Sequence, residues 1–535
     1  MKLTAEGIKE QQKWIDAGYD LPAFDEIAMR QQTKENPVWL HFGNGNIFKA
    51  LHGKGMQDLL NRGLTDRGII IAGSPESVIR LNRTHDEYSI LVTLKSDGSV
   101  EKTVIGSIAE SCITDIKDEN EYSRLKEIFC NSSLQMVSFT ITEKGYALED
   151  GQGAYRSEVL ADFAAGPESP ESYMGMIAAL LYERYRNGAA PIAMVSFDNC
   201  SHNGDKLYEA VLAYAWMWVK NGLTEEGFVA YLQNREKTTF PWTMIDKITP
   251  RPDESIAEII KKDGVEDVEF LLTERKSYMA PFVNAEESET LVIEDAFPNG
   301  RPPLEACGVI FTDRETVDKV EKMKICTCLN PLHTGLAVFG CLLGYTRISE
   351  TVKDKELLEL VQRIGYVEGL PVVTDPGIID PKDFLDEVLK IRLPNPFIPD
   401  MPQRIATDTS QKLPIRFGET LKKYLQDPEL SVNSLSCIPL VFAGWIRYLM
   451  AVDDEGKPFT LSTDPMLTQL IPVVKQVTLG ENCDTLEVLR PILEDARIFG
   501  VDLYESGLAE KICGYFDEMN AGPGAVRETL VKYLG

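Results

Sequence analysis

The chain has 535 residues, 44% of them hydrophobic and 26% charged, enough to bury a sizeable core in about two to four domains. Against 83 Asp and Glu stand 55 Lys and Arg, a net charge of −28 that argues against nucleic-acid and anionic-membrane partners, since phosphates need a basic face. Ten scattered cysteines fit the reduced thiols of a cytoplasmic protein, and the opening MKLTAEGIKEQQKW has no apolar run of the signal-peptide kind.

In chain order, residues 1–36 read as a helical extension ahead of the first core strand. Short apolar runs at Val38–Phe42, Gly68–Ala72, Ser89–Leu94, Leu134–Ile141 and Ile192–Phe197 read as buried parallel strands. Helical patterns between them, including Tyr173–Arg186 and Lys206–Lys220, make this an α/β half built from βαβ units. A turn-rich bridge, Glu294–Pro303, follows, and the strand signal then fades. Helices are expected at Glu315–Leu329, Pro331–Leu343, Asp354–Ile364, Pro381–Lys390, Ile415–Leu425, Leu435–Val452, Met466–Gln476, Thr485–Phe499 and Ala525–Tyr533. The apolar stretch near Gly335–Gly344 is too short to span a bilayer. The expected architecture is an α/β domain over residues 1–300 and an all-helical domain over 301–535.

The first strand runs into Gly43-Asn44-Gly45-Asn46-Ile47-Phe48 and then a helix. One glycine permits the tight turn, and a second lets the backbone approach a pyrophosphate on the helix N-terminus. That context fits a Rossmann-like dinucleotide-binding domain with Gly43, Asn44 and Gly45 as cofactor residues, against the alternative of a chance Gly-x-Gly turn. Phe48 stands where a third glycine belongs. The second strand ends without the usual ribose-binding acid, and Glu76, a few residues later, is the candidate for it.

Two further groups of residues carry chemistry. Asp198 and Asn199 follow a strand that should be central, at the carboxyl end where α/β ligands bind. Lys324, Asn330 and His333 lie in Glu321–His333, where Pro331 predicts a break at Asn330 and a new helix starting at the proline. Such a break lets the three side chains converge. Their bland reading is an exposed lysine, a capping asparagine and a core histidine. Cys326-x-Cys328 lacks metal-ligand spacing, so no metal site is expected.

These blocks occur together with Thr142–Tyr146, Phe240–Pro250, Ile293–Pro303 and Asn395-Pro396 through Lys412. In that order they resemble the polyol-specific long-chain dehydrogenases, the mannitol dehydrogenase family, and most of all its fructuronate reductase branch. The resemblance implies a metal-independent NAD-dependent oxidoreductase, with NADP left open, that interconverts D-fructuronate and D-mannonate. It makes Lys324 the base, with Lys322 as fallback, and Asn199, Asn330 and His333 its catalytic partners. It makes Glu321, Asp246 and Arg392 substrate contacts. Three departures stand out: the Lys324–Asn330 interval is one residue longer than the family's, Ile47-Phe48-Lys49 replaces Phe-His-Arg, and Asn330-Pro331-Leu332-His333 replaces Asn-Gly-Ser-His. The alternatives are a mannitol 2-dehydrogenase, a tagaturonate reductase, or a silent relative that only binds dinucleotide or sugar. The partner is a small sugar acid or polyol, and the oligomeric state stays open.

Overall fold

Four of the apolar runs form the centre of one parallel sheet, because each is buried on both faces. Trp39–Phe42, Ile69–Gly73, Met136–Phe139 and Ile192–Ser196 are flanked by Ile108–Ile113 at one edge and Thr238–Thr239 at the other. Every pairing is parallel. Numbered along the chain, the spatial order is 3-2-1-4-5-6, the doubly wound order whose switch point falls between the first and fourth strands. Alternate residues face opposite layers. Leu40, Phe42, Val137 and Phe139 pack against Glu119–Cys130, Tyr173–Arg186 and Asn203–Lys220, whereas Trp39, Ile71, Met136 and Val195 pack with Met56, Leu59 and Leu60 of Lys54–Asn61.

The computed structural model describes residues 1–272 and 278–535, which divide into two units. The first holds Met1–Lys95 and Ser99–Asp318, the second Ser96–Gly98 and Lys319–Gly535. The bridge at 294–303 is followed by one more strand of the first unit. Ile310–Thr312 pairs in parallel with Thr290–Glu294, which pairs antiparallel with Thr243–Asp246.

Ser89–Leu94 is not in the parallel sheet. It runs antiparallel to Val100–Ile105 and parallel to Phe282–Glu286 in a second sheet. The reason is a hairpin turn at Asp97-Gly98, with Gly98 at φ +88°, a dipeptide that favours antiparallel pairing.

The second unit is built of helices joined by loops, the longest of them over 450–466. Its centre is Cys437–Leu449, all 13 residues buried, packed against Ala509–Met519 and Asn330–Leu342. Thr485–Phe499 is three short helices rather than one: Pro491 stands in the first turn of Arg490–Leu493, and Asp495 caps Ala496–Phe499 by accepting from Arg497 N. The expected helix over Ile415–Leu425 is interrupted at Phe417, whose φ of −124° separates Thr409–Arg416 from Gly418–Gln426.

Among the described residues one helical run, Arg314–Leu342, is long and apolar enough to cross a membrane, which the short Gly335–Gly344 stretch did not suggest. Of its most apolar window 78% is buried inside the protein, so its apolar face packs in the core.

Candidate active site

The glycine turn sits at the switch point, at the carboxyl end of Trp39–Phe42. Gly43 has φ +136°, and a Cβ there would lie 2.4 Å from Thr140 Oγ1, so only glycine fits. A Cβ on Gly45 would meet nothing within 4 Å, leaving open space above the backbone where the helix starting at Asn46 begins. Asn44 Nδ2 donates to Asn82 Oδ1 at 2.5 Å, while Asn44 Oδ1 is buried without a partner. Open space over Gly45, an unsatisfied acceptor and a helix start together suit a dinucleotide's diphosphate and ribose.

Phe48, in the place of the third glycine, is fully buried and stacks on His41 at 4.1 Å between ring centroids. That stack does the close helix-to-strand packing which a glycine does elsewhere. His41 is fixed by hydrogen bonds with Ser138 Oγ at 2.7 Å and Thr140 Oγ1 at 2.9 Å. Lys49 is also buried, and burial draws its pKa down to about 8, opposed by the charge of Glu87. Glu76 lies past the strand end, in a short helix capped by Ser74, and pairs with Arg80 at 3.1 Å.

On the other side of the switch point, Asp198 and Asn199 follow Ile192–Ser196. Asp198 is 9% exposed. It accepts from Ile141 N, Thr142 N and the Tyr146 hydroxyl. Burial raises its carboxyl above the ordinary value, against those hydrogen bonds, which lower it. Asn203 Nδ2 donates to the Asp198 carbonyl and to Thr243 Oγ1, tying this turn to the strand Thr243–Asp246. Asp246, the last residue of that strand, is buried. Sequence reading placed Asp198 at this crevice but missed its clamp on Thr142.

In the second unit, Lys324 is 5% exposed, whereas Lys322 is exposed and Glu321 half-buried on Arg314–Met323. From Lys324 to Cys328 the helix widens, and Leu329 N reaches back five residues to Lys324 O at 3.1 Å. The break falls at Leu329, with φ −127° and ψ −62°, one residue before the expected Asn330, which instead opens the next helix with Pro331 in its first turn. A widened turn holds one extra residue, so it rotates everything beyond it by about 100°. Asn330 O accepts from Thr334 Oγ1 at 3.0 Å, and His333 is half-buried one turn into the helix.

Arg392 closes a widened turn, Val388–Arg392, and is 4% exposed. Its carbonyl accepts from Asn395 N at 3.2 Å. Among the described residues no group of three or more His, Cys, Asp or Glu is placed to hold a metal ion.

Residues 38–306 match the mannitol dehydrogenase Rossmann domain and residues 316–520 the mannitol dehydrogenase C-terminal domain. The chain belongs to the mannitol dehydrogenase family. It is an oxidoreductase of CH–OH groups, and its α/β unit takes a nicotinamide dinucleotide. A D-mannonate oxidoreductase of Thermotoga maritima is 50% identical over 100% of this chain and 99% of its own length. The D-mannonate oxidoreductase of Escherichia coli is 28% identical over 85% of this chain and 88% of that protein. The Pseudomonas fluorescens mannitol 2-dehydrogenase, solved as a ternary complex with NAD and D-mannitol, is 26% identical, with a TM-score of 0.69 over 100% of this chain and 99% of that one. A substrate-free D-sorbitol dehydrogenase shares the fold at 24% identity, with a TM-score of 0.80 over 97% of this chain and 99% of its own.

Proposed function

We propose that the protein interconverts D-mannonate and D-fructuronate with NAD, without a metal, using Lys324 as the base. The observation that carries this is the 50% identity, end to end, with a D-mannonate oxidoreductase. Oxidising the secondary alcohol needs its hydroxyl proton removed, and reduction returns it. When bound, the dinucleotide takes or gives the hydride.

The chain's own residues do the rest. Lys324 Nζ takes the hydroxyl proton. Its burial beside an exposed Lys322 supports this choice, and the widened turn at Lys324–Cys328 absorbs the extra residue between lysine and asparagine. Asn199 and Asn330 donate amide hydrogens to the oxygen where negative charge grows. His333 orients the lysine or the substrate. Arg392, always ionised, grips the carboxylate of the sugar acid, whose approach a net charge of −28 otherwise opposes. Asp246 and Glu321 take substrate hydroxyls. Gly43, Asn44 and Gly45 cradle the diphosphate, and Glu76 accepts from the adenosine ribose, which favours NAD.

The test is kcat/KM for D-mannonate, D-mannitol and D-altronate with NAD and with NADP. D-mannonate with NAD should lead by about tenfold or more. A lead for D-mannitol or D-altronate would overturn the substrate assignment, and a lead for NADP the cofactor assignment.

A further inference from the structure

Thr142 has φ +65° and ψ 157°, a backbone conformation that is essentially glycine-only. For a β-branched residue it is a severe outlier. Its carbonyl accepts from Gly145 N at 2.8 Å, and its N–H is held by one carboxylate. Asp198 Oδ1 accepts from Thr142 N at 2.8 Å, and Oδ2 accepts from Ile141 N at 3.0 Å and from the Tyr146 hydroxyl at 2.5 Å. The clamp is over-determined from both sides. The Tyr146 hydroxyl also meets Ser196 Oγ at 2.8 Å, and Asn203 Nδ2 holds the Asp198 carbonyl at 3.0 Å.

Its place matters as much as its geometry. The clamp joins the chain leaving Met136–Phe139 to the chain leaving Ile192–Ser196, at the carboxyl ends of strands beside the switch point. The next residue after Asp198 is Asn199. Strain of this kind persists where the surrounding structure forces it, and it gathers at sites that must hold a group in one direction. A carboxylate can satisfy three donors at once because both its oxygens only accept.

We infer that Asp198 is a positioning residue for the reaction: it holds Thr142 in its glycine-only conformation, and that conformation fixes the bend from which the exposed Asn199 projects. This rests on the proposed role of Asn199 as donor to the reacting oxygen.

The test is a rescue. Asp198→Asn keeps the shape but turns an amide NH2 toward a backbone N–H or the tyrosine hydroxyl, so the clamp opens and Thr142 relaxes. On the substrate that the wild type turns over fastest, kcat should fall about tenfold or more, with dinucleotide affinity, read by nicotinamide fluorescence, within about threefold of wild type. Adding Thr142→Gly should raise kcat at least about fivefold above that of Asp198→Asn, because glycine adopts the conformation unaided. Thr142→Gly alone should raise the thermal midpoint by about 2 °C, and this variant reports even if Asp198→Asn does not fold. A double variant no more active than Asp198→Asn, or a midpoint lowered by Thr142→Gly, overturns the proposal. Asn199→Ala run alongside separates the two readings. Wild-type kcat there refutes the role of Asn199 itself, while a loss there without rescue in the double variant refutes the clamp alone.

Discussion

Arg416 donates from Nη1 to the Thr334 hydroxyl at 2.7 Å, and the same nitrogen reaches the Asn330 carbonyl at 3.4 Å. The helix carrying Asn330 and His333 is thus braced in its first turn by a guanidinium from Thr409–Arg416. Among the described residues Arg416 has no carboxylate partner, and burial draws its pKa down to about 10. Even a half-buried charge without a counter-ion costs desolvation, so the brace is a built feature.

Arg416→Met should lower kcat by about tenfold or more with dinucleotide affinity unchanged, because Asn330 loses its fixed direction. Arg416→Lys should recover only part of that, since an ammonium is a point charge without the planar fork. Steady-state kinetics check this, and wild-type kcat in both variants would show that Asn330 is held by other groups.

Glu76 and Arg80 form a partly exposed pair beyond the strand Ile69–Gly73, where a dinucleotide's adenosine ribose belongs in this fold. A carboxylate there accepts from ribose hydroxyls and repels a 2′-phosphate, whereas a released arginine attracts one. Glu76→Ala should therefore shift the NAD to NADP ratio of kcat/KM toward NADP by about tenfold. An unchanged ratio would remove Glu76 from the cofactor site.

His52 is buried, stacks on Phe197 at 4.0 Å, and has an Nε2 without a partner. Burial draws its pKa from 6.5 down to about 3. Between those values the unfolded chain binds a proton that the native state refuses, so stability is complete above 6.5 and is lost as pH falls through the window. At pH 5 the loss from this one group is on the order of 2 kcal/mol. His52→Phe keeps the ring and removes the titration, so its thermal midpoint should drop less than the wild type's between pH 7 and pH 5. Equal drops would place the acid sensitivity elsewhere.

With Lys324 as base and no His, Cys, Asp and Glu cluster suited to a metal among the described residues, prolonged EDTA treatment should leave kcat intact. Loss of activity restored by zinc would contradict that.

Much of this was legible in the sequence because it depends on local pattern. The four central strands read from apolar runs, and the glycine turn from Gly43 and Gly45 between strand and helix. Where sequence reading erred, a non-local partner decided the outcome. Ser89–Leu94 is as apolar as the core strands, and only the Asp97-Gly98 turn and the distant Phe282–Glu286 take it to another sheet. Ala509–Met519 passes unnoticed because Gly514 weakens its pattern, yet it packs on the central helix of its unit. The widened turn after Lys324 has no residue signature. Pro331 announced a discontinuity, but Leu329 rather than Asn330 absorbs it. The clamp on Thr142 depends on a carboxylate 56 residues away, which no local pattern reports.

The central claim is that Lys324 is the base, and it is tested most directly by comparing Lys324→Ala with Lys322→Ala in single-turnover oxidation of D-mannonate at saturating NAD. Lys324→Ala should slow the hydride step roughly 10²–10⁴-fold while a separate titration with NADH, read by its fluorescence, still reports dinucleotide binding. Lys322→Ala should stay within about threefold of wild type. A fast Lys324→Ala, or a slow step that appears in Lys322→Ala instead, would contradict the account.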